Sequence, residues 1–264
     1  MMKYFLKAKV RENTVLSEGW HALRIECPEI AASASPGQFV QLRAWEGASP
    51  LLARPIGVAG VPAAGEILLW VQRVGDGTRL ITGLKAGDAI SVTGPLGRGF
   101  TMPAAGETVY FAAGCVGAAP LRFVAERQQA GVKSIFFYGA GTQCDTVAPL
   151  ADPVISGMEV VVTTDDGTCG EKGFVTDALR SALKNKKPDR ILACGPMGML
   201  RAVAALAAEA GVKCEVSMES HMGCGLGACN GCVVSVKDGT GKKYAHVCTD
   251  GPVFDSDYID WEAF

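Results

Sequence analysis

Four cysteines near the end of the 264-residue chain constrain it more than any other feature: Cys224, Cys229, Cys232 and Cys248. Their spacing is C-x4-C-x2-C, with a lone fourth cysteine after fifteen further residues, which is the plant-type pattern that holds a [2Fe-2S] cluster. Gly225 and Gly227 fall inside the first gap. Glycine supplies the positive φ values that let a loop wrap tightly and aim its amides at sulfides. Structural zinc also takes four thiolates, usually from two short cysteine pairs, whereas Cys248 stands apart. Zinc and unliganded thiols remain open as readings of these residues alone. Cys27, Cys144, Cys169 and Cys214 show no partner spacing and read as packed or incidental residues.

Ten cysteines make the compartment matter. Met1 to Val10 interrupts its apolar residues with Lys3, Lys7 and Lys9 and lacks the apolar core and cleavage site of a signal peptide. No apolar run approaches the roughly 20 residues of a spanning helix. The expectation is a soluble cytoplasmic protein, where disulfides are rare and cysteine spacing is better read as metal chemistry. A formal charge of −2, with Lys and Arg scattered, gives no footprint for nucleic acid or an anionic membrane. A hydrophobic content of 48% supports two cores and a small appendage.

The pattern divides the chain at about residues 101 and 218. From Tyr4 to Thr93, short apolar segments (Trp20 to Cys27, Gln38 to Trp45, Glu66 to Val74, Asp88 to Thr93) alternate with Pro36-Gly37, Gly75-Asp76-Gly77 and Gly87-Asp88 turns. No convincing helix interrupts them, so a β-barrel over 1–101 is expected. Residues 102–218 alternate strands with helices, among them strand Thr108 to Ala113, helix Ala118 to Gln129, strand Arg190 to Cys194 and helix Met197 to Ala210. That alternation predicts an α/β parallel-sheet nucleotide-binding domain covered on both faces. A Cys- and Gly-rich segment over 219–264 completes the chain.

Several loops carry candidate ligand contacts. Arg54-Pro55-Ile56-Gly57 lies between barrel strands, where an Arg fork can neutralise a pyrophosphate and Pro fixes backbone amides for a flavin ring. Gly77 and Thr78 offer further amides and a hydroxyl, although an Arg-Pro or Gly-rich tetrapeptide in isolation is usually just a turn. Gly94-Pro95-Leu96-Gly97-Arg98-Gly99-Phe100 closes the barrel and links the domains. In the second domain, the run from Gly114 through Gly117 to Pro120 joins a strand to a helix N-terminus, where amides and the dipole favour a pyrophosphate. Cys194-Gly195-Pro196-Met197 sits at the carboxyl end of a later strand, the ligand-binding end of an open α/β sheet; Cys194 there is a candidate edge for a nicotinamide or a buried structural thiol. Thr164-Asp165-Asp166-Gly167-Thr168 is a candidate contact for the adenosine ribose or a solvated turn.

In this order, Arg54 to Gly57, Gly94 to Gly97, Gly114 to Pro120 and Cys194 to Met197 resemble the ferredoxin–NADP reductase superfamily over nearly the whole chain. The tail, Met218-Glu219-Ser220-His221-Met222-Gly223-Cys224 onward with Cys248-Thr249-Asp250-Gly251-Pro252-Val253-Phe254, resembles the electron-transfer subunits of class 1B dihydroorotate dehydrogenases. The resemblance implies a Greek-key, FAD-binding β-barrel, an NAD-binding α/β domain and a small C-terminal [2Fe-2S] segment. It implies FAD contacts from Arg54, Pro55, Ile56, Gly57, Val71, Gln72, Gly77 and Thr78, with NAD as exchangeable cosubstrate. It further implies an FMN-containing dihydroorotate dehydrogenase catalytic subunit as partner, in a heterotetramer. Two departures stand out: Gly57 replaces a more usual Ser or Thr, and Ala112-Ala113-Gly114-Cys115 replaces a more Gly-rich run. A nicotinamide trades electrons as a hydride and an iron–sulfur cluster singly, so an electron relay through cofactors needs no catalytic acid–base pair. The rival readings are a flavin subunit of a hydrogenase or ferredoxin-linked transhydrogenase, a freestanding reductase, and a zinc-stapled interaction module.

Overall fold

A computed structural model describes residues 2–237, 239, 241 and 243–264. Met1, at the head of the expected barrel segment, and Asp238, Thr240 and Lys242, in the cysteine-rich segment, lie outside the described residues. Strands β1 (Tyr4–Ser17), β2 (Trp20–Glu26), β3 (Phe39–Arg43), β4 (Arg54–Ala63), β5 (Glu66–Gln72) and β6 (Ala89–Leu96) close into a barrel in the order β1-β2-β5-β4-β3-β6. Closure leaves no unpaired edge. In β1, Ala8 and Val10 point inward while Lys7 and Lys9 point out, so the lysines that break up the amino-terminal apolar run are the solvent face of a strand. Val40 and Leu42 of β3 meet Leu23, Ile67 and Leu69 inside the barrel.

Two short helices appear where none was expected, α1 (Pro28–Ser33) and α2 (Asp76–Thr82). The Gly75-Asp76-Gly77 turn is the start of α2. Thr78 causes the change, because its Oγ1 accepts from the amides of Val74 at 3.0 Å and Gly75 at 3.2 Å, satisfying donors that a helix start leaves open.

The second body is a sheet in the order β10-β9-β8-β7-β11-β12-β15, built from β7 (Thr108–Gly114), β8 (Lys133–Ala140), β9 (Glu159–Thr164), β10 (Glu171–Lys172), β11 (Arg190–Cys194), β12 (Lys213–Ser217) and β15 (Val253–Asp255). Helices α3 (Ala118–Arg127), α4 (Gln143–Ala151), α5 (Pro153–Ser156), α6 (Val175–Asn185) and α7 (Met197–Ala210) connect its strands. Alternation along β7 feeds both faces: Tyr110 and Ala112 pack with Leu179 and Val203 of α6 and α7, while Val109, Phe111 and Ala113 pack with Leu121 and Val124 of α3. All pairings are parallel except that of β15, which runs antiparallel to β12 and comes from the cysteine-rich segment.

That segment has too little apolar mass for a core of its own. Its hairpin, β13 (Val233–Ser235) and β14 (Tyr244–His246), sends Val234, Ala245 and Val247 into the core that holds Val216 of the sheet and Phe39 and Leu96 of the barrel. The loop closing the barrel grips the same segment, with the Arg98 amide donating to the Gly251 carbonyl at 2.6 Å. Among the described residues no helix is long and apolar enough to cross a membrane.

Barrel and sheet are joined at Arg122 of α3. A bulge in β4 between Val58 and Gly60 turns the Ala59 carbonyl out of the ladder, and Arg122 Nη1 donates to it at 2.8 Å. Nη1 also meets Glu126 Oε2, Nε meets Asp152 Oδ2 at 2.8 Å, and Glu126 Oε1 takes the Val61 amide at 3.2 Å. Gly60 has no Cβ because one would stand 2.5 Å from Arg122 Nη1. Phe123 beside it plugs the barrel core. Removing one partner strands buried charge, so Arg122→Met is expected to cost about 3 kcal/mol in urea unfolding. Gly60→Ala should lose stability in the same direction, by displacing the guanidinium.

Candidate functional site

A cleft of about 310 Å³ opens at this joint. The barrel wall carries Arg54, Pro55, Ile56 and Gly57 of β4, Trp70 and Gln72 of β5, and Thr78 of α2; the sheet wall carries Val116, Ala119, Pro120 and Cys194. Ser217 to Ser220 and Met222, leading into the cysteine loop, line its remaining side. The Arg54 guanidinium stacks on Trp45, 5.6 Å from the ring centroid, and lies against Gly77, where any Cβ would overlap it. Gly77 thus serves the cleft by absence of a side chain, bringing a cation to the start of α2. The largely apolar walls, with the Arg54 guanidinium and the Thr78 hydroxyl on the barrel side, suit a flat aromatic ring with an anionic tail, which is the outline of FAD.

Val71 can serve a ligand in one way only. Its side chain is fully buried inside the barrel, so alternation leaves only its backbone for a ligand, while Trp70 and Gln72 on either side face the cleft. The bare position at Gly57 is not a steric demand, because a Cβ there would stand 3.6 Å from Pro120, an ordinary contact.

A second cavity, of about 470 Å³, lies at the carboxyl ends of the sheet strands, between Gly114, Cys115, Gly139, Asp165, Pro196 and Met199. The expected dinucleotide residues therefore divide: Pro120 and Cys194 face the first cleft, Gly114 and Pro196 the second. Gly117 and Gly195 line neither and instead bring the two turns together. A Cβ on Gly195 would stand 3.0 Å from the Gly114 amide nitrogen, and one on Gly117 would overlap the Cys194 carbonyl. Met197 is the first residue of α7, and the acidic loop splits likewise. Asp165 lines the second cavity, while Asp166 faces solvent, bonded to the Thr168 hydroxyl at 2.7 Å. Cys194 is buried, which pushes its thiol up to about 12.

Cys224, Cys229 and Cys232 lie in the loop that follows Met222 of the first cleft, and Cys248 comes just after strand β14. Cys224 Sγ accepts from the amides of Leu226 at 3.3 Å and Cys229 at 3.4 Å, and chiefly the Leu226 amide brings its thiol down to about 6. Burial instead pushes Cys248 up to about 12. Gly225 (φ 69°), Gly227 (φ 84°) and Asn230 (φ 54°) make the wrap. Gly223 and Gly231 flank Cys229 Sγ, where a Cβ on either would stand 3.3 and 3.6 Å away. Cys229 lies close enough to Cys224, and Cys232 to Cys248, to bear on the neighbouring thiol. Among the described residues no three ligating side chains gather about one point. Two pairs of cysteine sulfurs, with amides aimed at Cys224 Sγ, fit a binuclear [2Fe-2S] cluster better than one tetrahedral ion.

A closed barrel joined to a nucleotide-binding sheet by a cleft defines the class of reductases that bind a flavin beside a nicotinamide. A solved NADH-dependent reduced ferredoxin–NADP oxidoreductase, described for flavin-based electron bifurcation, is 30% identical and superposes with a TM-score of 0.84, covering 98% of this chain and 91% of that one. A ferredoxin–NADP+ reductase from Neisseria gonorrhoeae, at 18% identity and a TM-score of 0.62, shares the fold over 78% of this chain and 92% of its own. The family model described as the iron-sulfur cluster binding domain of dihydroorotate dehydrogenase B matches residues 219–260. Relatives named dihydroorotate dehydrogenase B (NAD(+)), electron transfer subunit, are 38% identical in Desulforamulus reducens, over 99% of this chain and 100% of that one, and 36% identical in Bacillus velezensis, over 95% and 96%. The chain belongs to this family of electron transfer subunits.

Sequence reasoning passed over Trp70, Glu219 and Gln41. Trp70 could have been found from alternation with Gln72. Glu219 follows β12 at the ligand-binding end of the sheet; its side chain is open to solvent at the cleft mouth, yet the surrounding walls raise its pKa. Gln41 carried no signal, because its meaning depends on the loop folded against it.

Two outcomes are expected. Gly117→Ala forces β11 from the α3 turn and should cost about 2 kcal/mol in urea unfolding, with weaker NADH binding by fluorescence titration. In the holoprotein, iodoacetamide at pH 8 should alkylate exposed Cys144 and spare Cys27, Cys194 and Cys214, whose thiols burial pushes up to about 12, as peptide mass mapping would show.

Proposed function

We propose that this chain is the electron-transfer half of a two-protein dihydroorotate dehydrogenase. Dihydroorotate loses two electrons and two protons in a catalytic partner; NAD+ on this chain takes up both electrons and one proton, and the other proton goes to solvent. One observation carries the reading: barrel, sheet and cysteine segment all line a single cleft. When bound there, FAD supplies exchange of electron pairs with a nicotinamide and of single electrons with an iron–sulfur cluster.

The chain's own residues bind, orient and shield. Arg54 and Thr78 would hold the flavin phosphates, the backbone from Pro55 to Gly57 and the Gln72 side chain the ring edge, and Trp70 and Pro120 the ring faces. Cys224 with Cys229, and Cys232 with Cys248, would each take one iron. Gly114, Asp165 and Pro196 would take the dinucleotide, and the buried Cys194 thiol would border the nicotinamide without reacting. Residues 1–101, 102–218 and 219–264 are the matching FAD, NAD and cluster units. No acid–base pair is needed for this relay.

The partner in this reading is a cytoplasmic, FMN-containing catalytic subunit in a heterotetramer. Leu226, Val233 and Tyr244, exposed on the cluster segment, provide apolar surface for docking it. A ferredoxin-coupled role is the second reading, favoured by the solved ferredoxin–NADP oxidoreductase at 30% identity. Anaerobically purified protein should carry about two irons and one FAD per chain. With the catalytic subunit, dihydroorotate should drive NAD+ reduction. Turnover with ferredoxin but not dihydroorotate would select the second reading, and a colourless folded protein would overturn both.

A further inference from the structure

Gln41 sits between the barrel strand bearing the flavin motif and the loop bearing the cysteines. It pairs across the barrel ladder with Pro55 of β4 on one side and with Thr93 of β6 on the other. Alternation sends Val40 and Leu42 into the barrel and turns Gln41 outward with Phe39, toward the cysteine segment. The residue is 6% exposed. Its Nε2 is buried and has no hydrogen-bond partner among the described residues. A buried amide donor left unpaired is costly and rare, so one standing at a ligand site points to the ligand.

The surroundings say which ligand. Gly225, the residue after Cys224, presses on the amide: a Cβ there would stand 2.7 Å from Gln41 Nε2 and 2.9 Å from its Cδ. Gly225 is held at a φ of 69°. The same wrap aims the amides of Leu226 and Cys229 at Cys224 Sγ. Either end of a carboxamide fits such a space by shape. Ligating thiolates and sulfides accept hydrogen bonds and cannot donate them, so they select the N–H end.

Resting on the [2Fe-2S] reading above, we propose that Gln41 is a positioning residue that donates its side-chain N–H to a sulfur of the cluster site in the 224–229 loop. A donor from the flavin-bearing barrel thereby sets the reduction potential of the neighbouring centre. Hydrogen bonds to sulfur favour the more negatively charged, reduced state and so raise the potential. Gln41 also limits what can stand at position 225, since any side chain there would displace it.

The test is a redox titration of the holoprotein, following the cluster by electron paramagnetic resonance and the flavin by absorbance, in wild type, Gln41→Leu and Gln41→Met. Both variants keep the volume and remove the donor. With iron content unchanged, the cluster should become about tenfold harder to reduce, a fall of about 59 mV for one electron, with shifted iron–sulfur stretching bands in the Raman spectrum. An unmoved cluster potential would overturn the proposal, as would a shift confined to the flavin. Loss of iron from both variants would assign Gln41 to the shape of the loop and overturn it too. Absence of iron from the wild type would instead strike the cofactor reading on which the proposal rests.

Discussion

The guanidinium of Arg122 is the constraint on which the site depends. It ties the outturned Ala59 carbonyl of the barrel to Glu126 on its own helix and to Asp152, whose other oxygen caps α5 by accepting from Val154 and Ile155. Three separate stretches of chain are thus fixed to one planar, permanently charged group. Arginine suits the task because its fork reaches several acceptors at once and cannot shed its proton. Bound this way, α3 holds Pro120 opposite Gly57, and the width of the cleft follows.

The cysteine segment depends on the two bodies that it touches. Phe39 and Leu96 of the barrel, Val216 of the sheet, and Cys232, Val234, Val247 and Cys248 share one buried core. The loop therefore takes its shape in part from the cores around it. This accounts for the close approach of Gln41 to Gly225, since two structures that share a core can be set to each other within a fraction of an ångström.

What could be read from the sequence followed a rule of distance along the chain. Cysteine spacing, the Arg54 to Gly57 run and the alternation of strands with helices are local patterns, and each reappears in the fold where the pattern puts it. Val71 and Gln72 were legible as a pair, but only the register of β5 separates the inward member from the outward one. Gly117 illustrates the opposite case: its neighbour in space, the Cys194 carbonyl, is remote in sequence, so its purpose could not be seen in the loop alone. The same holds for Arg122 and Gln41, whose partners lie in other units of the chain. The helix at Asp76–Thr82 was hidden by its glycines, which mark a turn until the Thr78 hydroxyl is seen to cap it.

Strand β15 has a consequence for anyone exchanging modules among relatives. Because Val253–Asp255 hydrogen-bonds to Glu215, Val216 and Ser217, the iron–sulfur segment also covers the flank of the neighbouring domain. A transplant cut at residue 219 would carry that cover away and leave β12 as a bare template for other chains. A chimaera that keeps its solubility therefore has to match the donor's final strand to the recipient's sheet, whichever cluster loop it carries.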